Sequence, residues 1–287
     1  MNVVIDTGAL YRIGSDEEVL RLIKKAGYKY YDFSLFWRGT CDHLGDSHDE
    51  RVKNAHKLRA FSDKLGLKCE QSHSFFMAGA DRKSITKRIE YVSSDIIVAS
   101  ILGAKSIVVH PICELSLEEN IEYLKKFIPL AHKYDILLAI ENIWGVENDK
   151  IVPMCSSTPE SFVKLLDSLD DNHVVACLDI GHAEMNQMGT SAVEMINALG
   201  KRLYCLHIHD NDKYSDAHQM PYTNKINFNA ILRALKNNKY KGNITFEVET
   251  TYNRGEEPDA NLPLELFLPY LKLELEIGIY FKKAINK

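Results

Sequence analysis

Leu203 to Pro221 reads "LYCLHIHDNDKYSDAHQMP": three histidines and three aspartates within nineteen residues, directly after an apolar run. Imidazoles and carboxylates at that density are metal-ligand chemistry, but Asp- and Asn-rich stretches also make ordinary turns. Partners elsewhere in the chain must decide. They recur at the ends of other apolar runs. His73 follows "CEQS", His110 follows "SIVV", Glu141 follows "LLAI", Asp179 follows "VACL", His207 lies in "YCLHIH" and Glu247 in "ITFEVE". His182 stands three residues past Asp179, and Asp216 and His218 lie in the opening stretch itself.

A single histidine at a strand end is usually a hydrogen-bonded structural residue. The carboxylates are harder to accommodate. Glu141, Asp179 and Glu247 have apolar neighbours, and a desolvated carboxylate costs several kcal/mol unless a cation or hydrogen bonds compensate. No Lys or Arg lies in the apolar part of those runs, which makes a divalent cation the economical counter-charge. Carboxylates with one imidazole, as in Glu141, Asp179, His207 and Glu247, suit Mn2+, Mg2+ or Co2+, while extra imidazoles draw a site toward Zn2+. His207 and His209 alternate onto one strand face, so spacing alone leaves the choice between them open.

The elements that must position these groups follow a repeating alternation of short runs rich in Val, Ile, Tyr or Leu with longer segments of helical period. The runs "NVVID", 28–34, 67–73, 106–110, 136–141, 174–179, 203–209 and 243–249 read as eight strands. Helical patterns occupy about 15–27, 49–65, 84–103, 117–134, 158–170, 190–199, 227–238 and 262–283. "SDEE" at Ser15 and Pro159 after Thr158 are helix starts, and Gly66, Gly103 and Gly200 are helix stops. Eight strand–helix units predict a closed (β/α)8 TIM barrel, which typically takes about 250 residues. A doubly wound sheet would offer a glycine-rich loop after an early strand, and "VIDTGALYRIGS" matches that poorly. No linker or low-complexity segment divides residues 1–287, so a single domain is expected. In a barrel the C-terminal strand ends meet at one mouth, where all the polar residues named above would converge.

The net charge of −5 gives no basic surplus for a nucleic-acid partner. The six cysteines are single and lack any CxxC pair, which predicts buried thiols in a reducing compartment rather than disulfides. The start "MNVVIDTGAL" lacks the form of a signal peptide and no run is long enough to span a membrane, so a cytoplasmic location without membrane partners is expected.

"LAIEN", "CLDIGHAEM", "LHIHDND" followed by "DAH", and "FEVE", in this order, resemble the xylose isomerase-like TIM-barrel superfamily of sugar isomerases and epimerases, inosose-type dehydratases and endonuclease IV. The resemblance implies that Glu141, Asp179, His207 and Glu247 bind one divalent metal, that the two glutamates form an acid–base pair, and that His182 contacts substrate. The family's metal histidine precedes an acidic residue by three, as His207 precedes Asp210, which favours His207 and leaves His209 at the rim. The endonuclease IV pattern implies a larger set with zinc: His73, His110, Glu141, Asp179, His182, His207, Asp216, His218 and Glu247. Against it, "ENIWGVEND" lacks the nuclease's Gly/Gln-rich turn, "DIGHAEM" lacks its Cys and aromatic context, and no Arg-rich loop is present. "DAHQMPYTNKINF" also lacks the glycine usual after this stretch in both branches.

The expected activity is therefore isomerisation or epimerisation of a ketose or polyol. Glu141 and Glu247 would exchange protons with a substrate carbon through an enediolate held by the metal, with an AP endonuclease or an inosose-type dehydratase as alternatives. Trp37 and Trp144, each in a long loop at the mouth, are candidates for stacking on a sugar face, and Arg38 and Lys213 for meeting a phosphate or carboxylate. Relatives in the superfamily often pair through their barrels, so a homo-oligomer fits the resemblance.

Overall fold

The computed structural model describes residues 1–36, 43–77, 81–250 and 262–286. Eight parallel strands, β1 (Val3–Asp6), β2 (Tyr30–Ser34), β3 (Lys68–His73), β4 (Ser106–Val109), β5 (Leu137–Glu141), β8 (Val174–Asp179), β9 (Leu203–His207) and β10 (Ile244–Phe246), form one sheet in the order β10-β1-β2-β3-β4-β5-β8-β9. A parallel bridge between Ile208 and Phe246 brings the two ends together, so the sheet is a nearly closed TIM barrel. The helices between them are α1 (Asp16–Ala26), α2 (His48–Leu65), α3 (Arg82–Leu102), α4 (Leu117–Lys125), α5 (Ile128–Tyr134), α6 (Pro159–Leu169), α7 (Ile180–Glu184), α8 (Ala192–Leu199), α9 (Phe228–Asn237) and α10 (Leu264–Asn286).

Local chemistry sets most boundaries. Ser15 with Glu18, Ser47 with Glu50 and Ser116 with Glu119 form reciprocal capping boxes that satisfy the first free amides of α1, α2 and α4. Gly66 and Gly103 close α2 and α3 in left-handed conformation. The helix expected over 117–134 is two helices instead. Pro129, in the first turn of α5, has no amide hydrogen for the Lys125 carbonyl and its ring crowds that carbonyl, so the pattern breaks there despite its unbroken apolar period. The loop after β5 contains a hairpin, β6 (Trp144–Glu147) and β7 (Lys150–Pro153), turned by Asn148 (φ 50°) and Asp149 (φ 59°), the left-handed pair that a two-residue hairpin turn requires.

The apolar core lies between sheet and helices, with Leu20, Phe33, Ile107, Phe162, Leu206, Phe246 and Phe281 fully shielded. Inside the barrel a small plug of Val108, Ala139, Cys177 and Cys205 fills the space below the mouth. Cys69, Cys113, Cys155, Cys177 and Cys205 are free thiols. No described helix is long and apolar enough to cross a membrane. Trp37, Arg38 and Cys41 lie outside the described residues.

Candidate metal centre

Each strand end delivers its polar residue by alternation. In β5, Ala139 points into the plug and Glu141, two residues on, points into the mouth. Cys177 and Asp179 repeat this in β8, and Cys205, His207 and His209 in β9 and beyond. Glu141 and Asp179 are almost fully buried, at 1% and 0% exposure. "EN" and "DIGH" lock together: Asn142 donates to the Asp179 carbonyl (2.9 Å) and accepts from the Asp179 amide (2.7 Å), while its own carbonyl receives His182 Nδ1–H (2.9 Å). Asp179 Oδ1 also accepts the His182 amide at 2.6 Å, capping α7.

Two clusters result. Around Glu141 stand His110 Nε2 (2.6 Å), His207 Nδ1 (3.0 Å) and His73 Nε2 (3.5 Å), with Glu247 Oε2 3.3 Å from His207 Nδ1. Around Asp216 stand His218 Nε2 (3.1 Å), His182 Nε2 (3.2 Å) and His209 Nε2 (3.6 Å), and His209 Nε2 also meets Asp179 Oδ1 at 3.1 Å. His182 Nδ1, 3.6 Å from Asp179 and 3.9 Å from Glu141, joins the two. His73/His110/Glu141 and His182/His209/Asp216/His218 each bring their donor atoms within 4.8 Å of one another, as a metal ion would need.

The donors fit a divalent cation on three counts. His73, His182 and His218 each give Nδ1–H to a main-chain carbonyl, of Ser74, Asn142 and Glu247 respectively, which fixes the tautomer and presents Nε2 to the carboxylates. Asp179 Oδ2 and His209 Nδ1 are buried without a hydrogen-bond partner among the described residues. Finally, a Cβ on Gly181 would run into the His209 ring, so the glycine of "DIGH" is the space that seats this imidazole.

His207 and His209 share a face at different depths. His207 has both ring nitrogens committed, Nδ1 to Glu141 and Glu247, and Nε2 to the Gln71 amide (2.9 Å) and Asp32 (3.5 Å). Gln71 in turn binds Asp32 at 2.6 Å. His207 lies within ligand distance of His73 and Glu247, and His209 within ligand distance of His182, Asp216 and His218, with its Nε2 on Asp179 and its Nδ1 unpartnered among the described residues. Asp210, the residue whose spacing favours His207, serves the loop instead, where its carboxylate accepts the amides of Asn211, Asn224 and Ile226 and pins the chain. The loop manages without the usual glycine because Lys213 (φ 71°), His218 (φ 42°) and Tyr222 (φ 71°) themselves take left-handed conformations.

Electrostatics separate the groups. Burial opposes charge on His182, but Asp179 and Asp216 outweigh it and push its pKa up to about 10. Burial pushes His110 down to about 4. Burial raises Glu247, whereas at Glu141 the neighbouring His207 and His110 overcome burial and hold the carboxyl well below its usual range.

A cavity of about 500 Å³ opens over the donors, lined on its other sides by Phe36, Phe76, Arg88, Ile143, Trp144 and Val146. Trp144 lines it as expected and also donates Nε1–H to Asp216 Oδ2 at 3.3 Å. Lys213, considered for an anionic substrate group, pairs with Glu184 at 3.0 Å instead. Sequence reasoning missed the Asp32–Gln71 floor and Arg88. The floor residues could have been found from strand alternation in "YYDFS" and "KCEQSH", which places Asp32 and Gln71 inside the barrel.

The model of the xylose isomerase-like TIM-barrel family matches residues 20–266. An uncharacterized protein of Methanocaldococcus jannaschii is 29% identical over 178 residues, covering 57% of this chain and 59% of that protein. The chain spans 52–59% of the length of the curated relatives it matches. Among solved structures, a D-tagatose 3-epimerase-like protein superposes with a TM-score of 0.76 at 20% identity, covering 100% of this chain and 98% of that one. The IolI protein with a bound zinc atom superposes at 0.72 with 19% identity, over 99% and 98%.

Proposed function

The chain belongs to the xylose isomerase-like TIM-barrel family, and from that premise we propose that it is one catalytic domain acting as a divalent-metal-dependent isomerase or epimerase of a sugar or polyol. The observation that carries this reading is the pair Glu141 and Glu247, both lining the cavity beside an imidazole-rich donor set and held at opposite shifts in proton affinity. Glu141, Asp179, His209 and Glu247 would hold the metal, His209 taking the place that the spacing to Asp210 assigns to His207. The zinc in the IolI structure and the number of imidazoles favour Zn2+ beside Mn2+, Mg2+ and Co2+.

A bound divalent cation supplies Lewis-acid polarisation of a substrate carbonyl and eases loss of the adjacent proton. The chain's own residues do the rest. Before a cation arrives Glu141 is ionised and placed to take a proton, while burial keeps Glu247 protonated to higher pH, so that it can return one to the other face of the carbon. Asp179 and His182, braced by Asn142, hold the rim in register. Phe36, Ile143 and Val146 exclude water, and Trp144 offers a flat face to a sugar ring.

A second reading, phosphodiester cleavage at several zinc ions, is favoured by one observation: His73/His110/Glu141 and His182/His209/Asp216/His218 are separate donor groups. Metal analysis with deuterium uptake from solvent into a panel of ketoses and inososes divides the two. One metal per chain with exchange at a carbon supports the isomerase. Three zincs with incision of an abasic-site oligonucleotide overturns it.

A further inference from the structure

Arg88, in the first half of α3, is 3% exposed yet lines the same cavity as the donor set. Its guanidinium makes no ion pair among the described residues, and its Nε, fully shielded, has no hydrogen-bond partner there. Among the described residues its compensation is a ring and a neutral hydroxyl: the guanidinium carbon lies 5.4 Å from the centre of Phe76, itself edge-on to His110 at 5.6 Å, and the Tyr123 phenol, a hydrogen-bonding group, is its neighbour. A cation–π contact of this kind recovers less than desolvating a charge costs. Nearby acids do not close the gap. Asp95 is taken by Arg51 at 2.6 Å and by the Phe75 amide at 2.8 Å. Tyr123 interacts with Arg88 through its phenol, but burial raises the pKa of that phenol, so it is a neutral partner and supplies no counter-charge. Glu114 lines the cavity but is exposed at its mouth, where solvent screens it. The cavity is thus bipolar, with carboxylates and imidazoles at one end and, at the other, a buried guanidinium that has no acidic partner among the described residues.

We propose that Arg88 is a specificity-determining residue that binds an anionic group, a phosphate or a carboxylate, carried by the sugar or polyol. The proposal rests on the reading of this cavity as the substrate site and narrows its substrate to an acidic one. A planar guanidinium matches either group through two parallel hydrogen bonds, and a buried charge without a counter-ion among the described residues is the situation such a ligand relieves.

The test is calorimetric binding to the Mn2+-loaded protein of three probes: fructose, fructose 6-phosphate and glucuronate. The wild-type protein should bind one of the two acids at least tenfold more tightly than fructose, and which acid it prefers identifies the group. Arg88→Met, close in length but uncharged, should bind fructose unchanged and lose the preference. Should that variant fail to fold by circular dichroism, Arg88→Lys, which keeps the charge but not the fork, should lower the preference several-fold. Equal binding of all three probes, or a preference that survives these substitutions, overturns the proposal. Arg88-dependent anion binding without proton exchange on any probe would sink the isomerase reading alone. Exchange confined to neutral sugars would sink this inference alone.

Discussion

His207 and His209 leave the same strand on the same face, and the two layers they enter are built on opposite principles. In the lower layer His207 commits both ring nitrogens within the protein, Nε2 to Gln71 and Asp32 and Nδ1 to the Glu141 and Glu247 carboxylates above, although Asp32 Oδ1 has no hydrogen-bond partner among the described residues. The upper layer leaves Asp179 Oδ2 and His209 Nδ1 without partners among the described residues and clears a space at Gly181 for the imidazole. An imidazole with both nitrogens committed contributes rigidity, and one with an open nitrogen near an open carboxylate oxygen awaits a ligand. Damage to the first should register as lost stability, and damage to the second as lost affinity and turnover.

The largest effect is expected where the layers meet. Glu141→Gln removes a carboxylate that both layers use, so turnover should fall by about a thousandfold or more, with metal binding weakened alongside. Steady-state kinetics and metal titration check this, and full turnover in the variant would end the acid–base role. Gly181→Ala alters no donor, yet its methyl meets the His209 ring. It should weaken metal affinity by about 10–100-fold, as loss of an orienting contact does, while far-ultraviolet circular dichroism stays unchanged. Unaltered affinity would show that His209 does not bind.

His207→Asn strikes the floor. It leaves Gln71, Asp32 and Glu141 short of a buried partner and should cost about 2–4 kcal/mol of stability by denaturant unfolding, with metal retained. A pH scan of the metal-free protein sharpens the contrast. The pKa of His182 is raised to about 10, so its contribution to stability is complete below the ordinary histidine value and is lost as pH climbs through about 10. His110, pushed down to about 4, stabilises the fold above the ordinary histidine value and loses that contribution as pH falls toward about 4. The metal-free Tm should therefore peak near neutral pH, and metal affinity should rise with pH because a protonated His182 beside Asp179 repels the cation. A Tm that keeps rising past pH of about 9 would contradict the His182 assignment. The smallest effect belongs to Trp144→Phe, which loses one 3.3 Å hydrogen bond to Asp216 and should shift affinity only a few-fold.

The barrel was legible because buried parallel strands are continuous apolar runs and capping residues mark helix starts, as at Ser15 and Thr158. The polar strand ends were legible for the same reason: Glu141 and Asp179 interrupt hydrophobic sequence. Depth was not. A period of two puts His207 and His209 on one face, and only where β9 stops and where Gly181 leaves room tells which ring reaches the mouth. Asp210, the spacing marker for His207, also accepts three main-chain amides, a role its sequence position does not reveal. Arg88 sits mid-helix in "SITKRIEYV", a setting indistinguishable in sequence from a solvated face, and becomes visible only when α3 packs beside Phe76. Pro129 was in plain view, but the apolar period on both sides of it masked the break.

The central claim, that the upper layer is the one open to a cation, is tested most directly by metal content per chain, measured by elemental analysis of the wild-type protein, His207→Asn and His209→Asn after loading with Mn2+ or Zn2+ and desalting. His207→Asn should retain the wild-type stoichiometry while His209→Asn loses metal. Loss of metal from His207→Asn with retention in His209→Asn would contradict the claim.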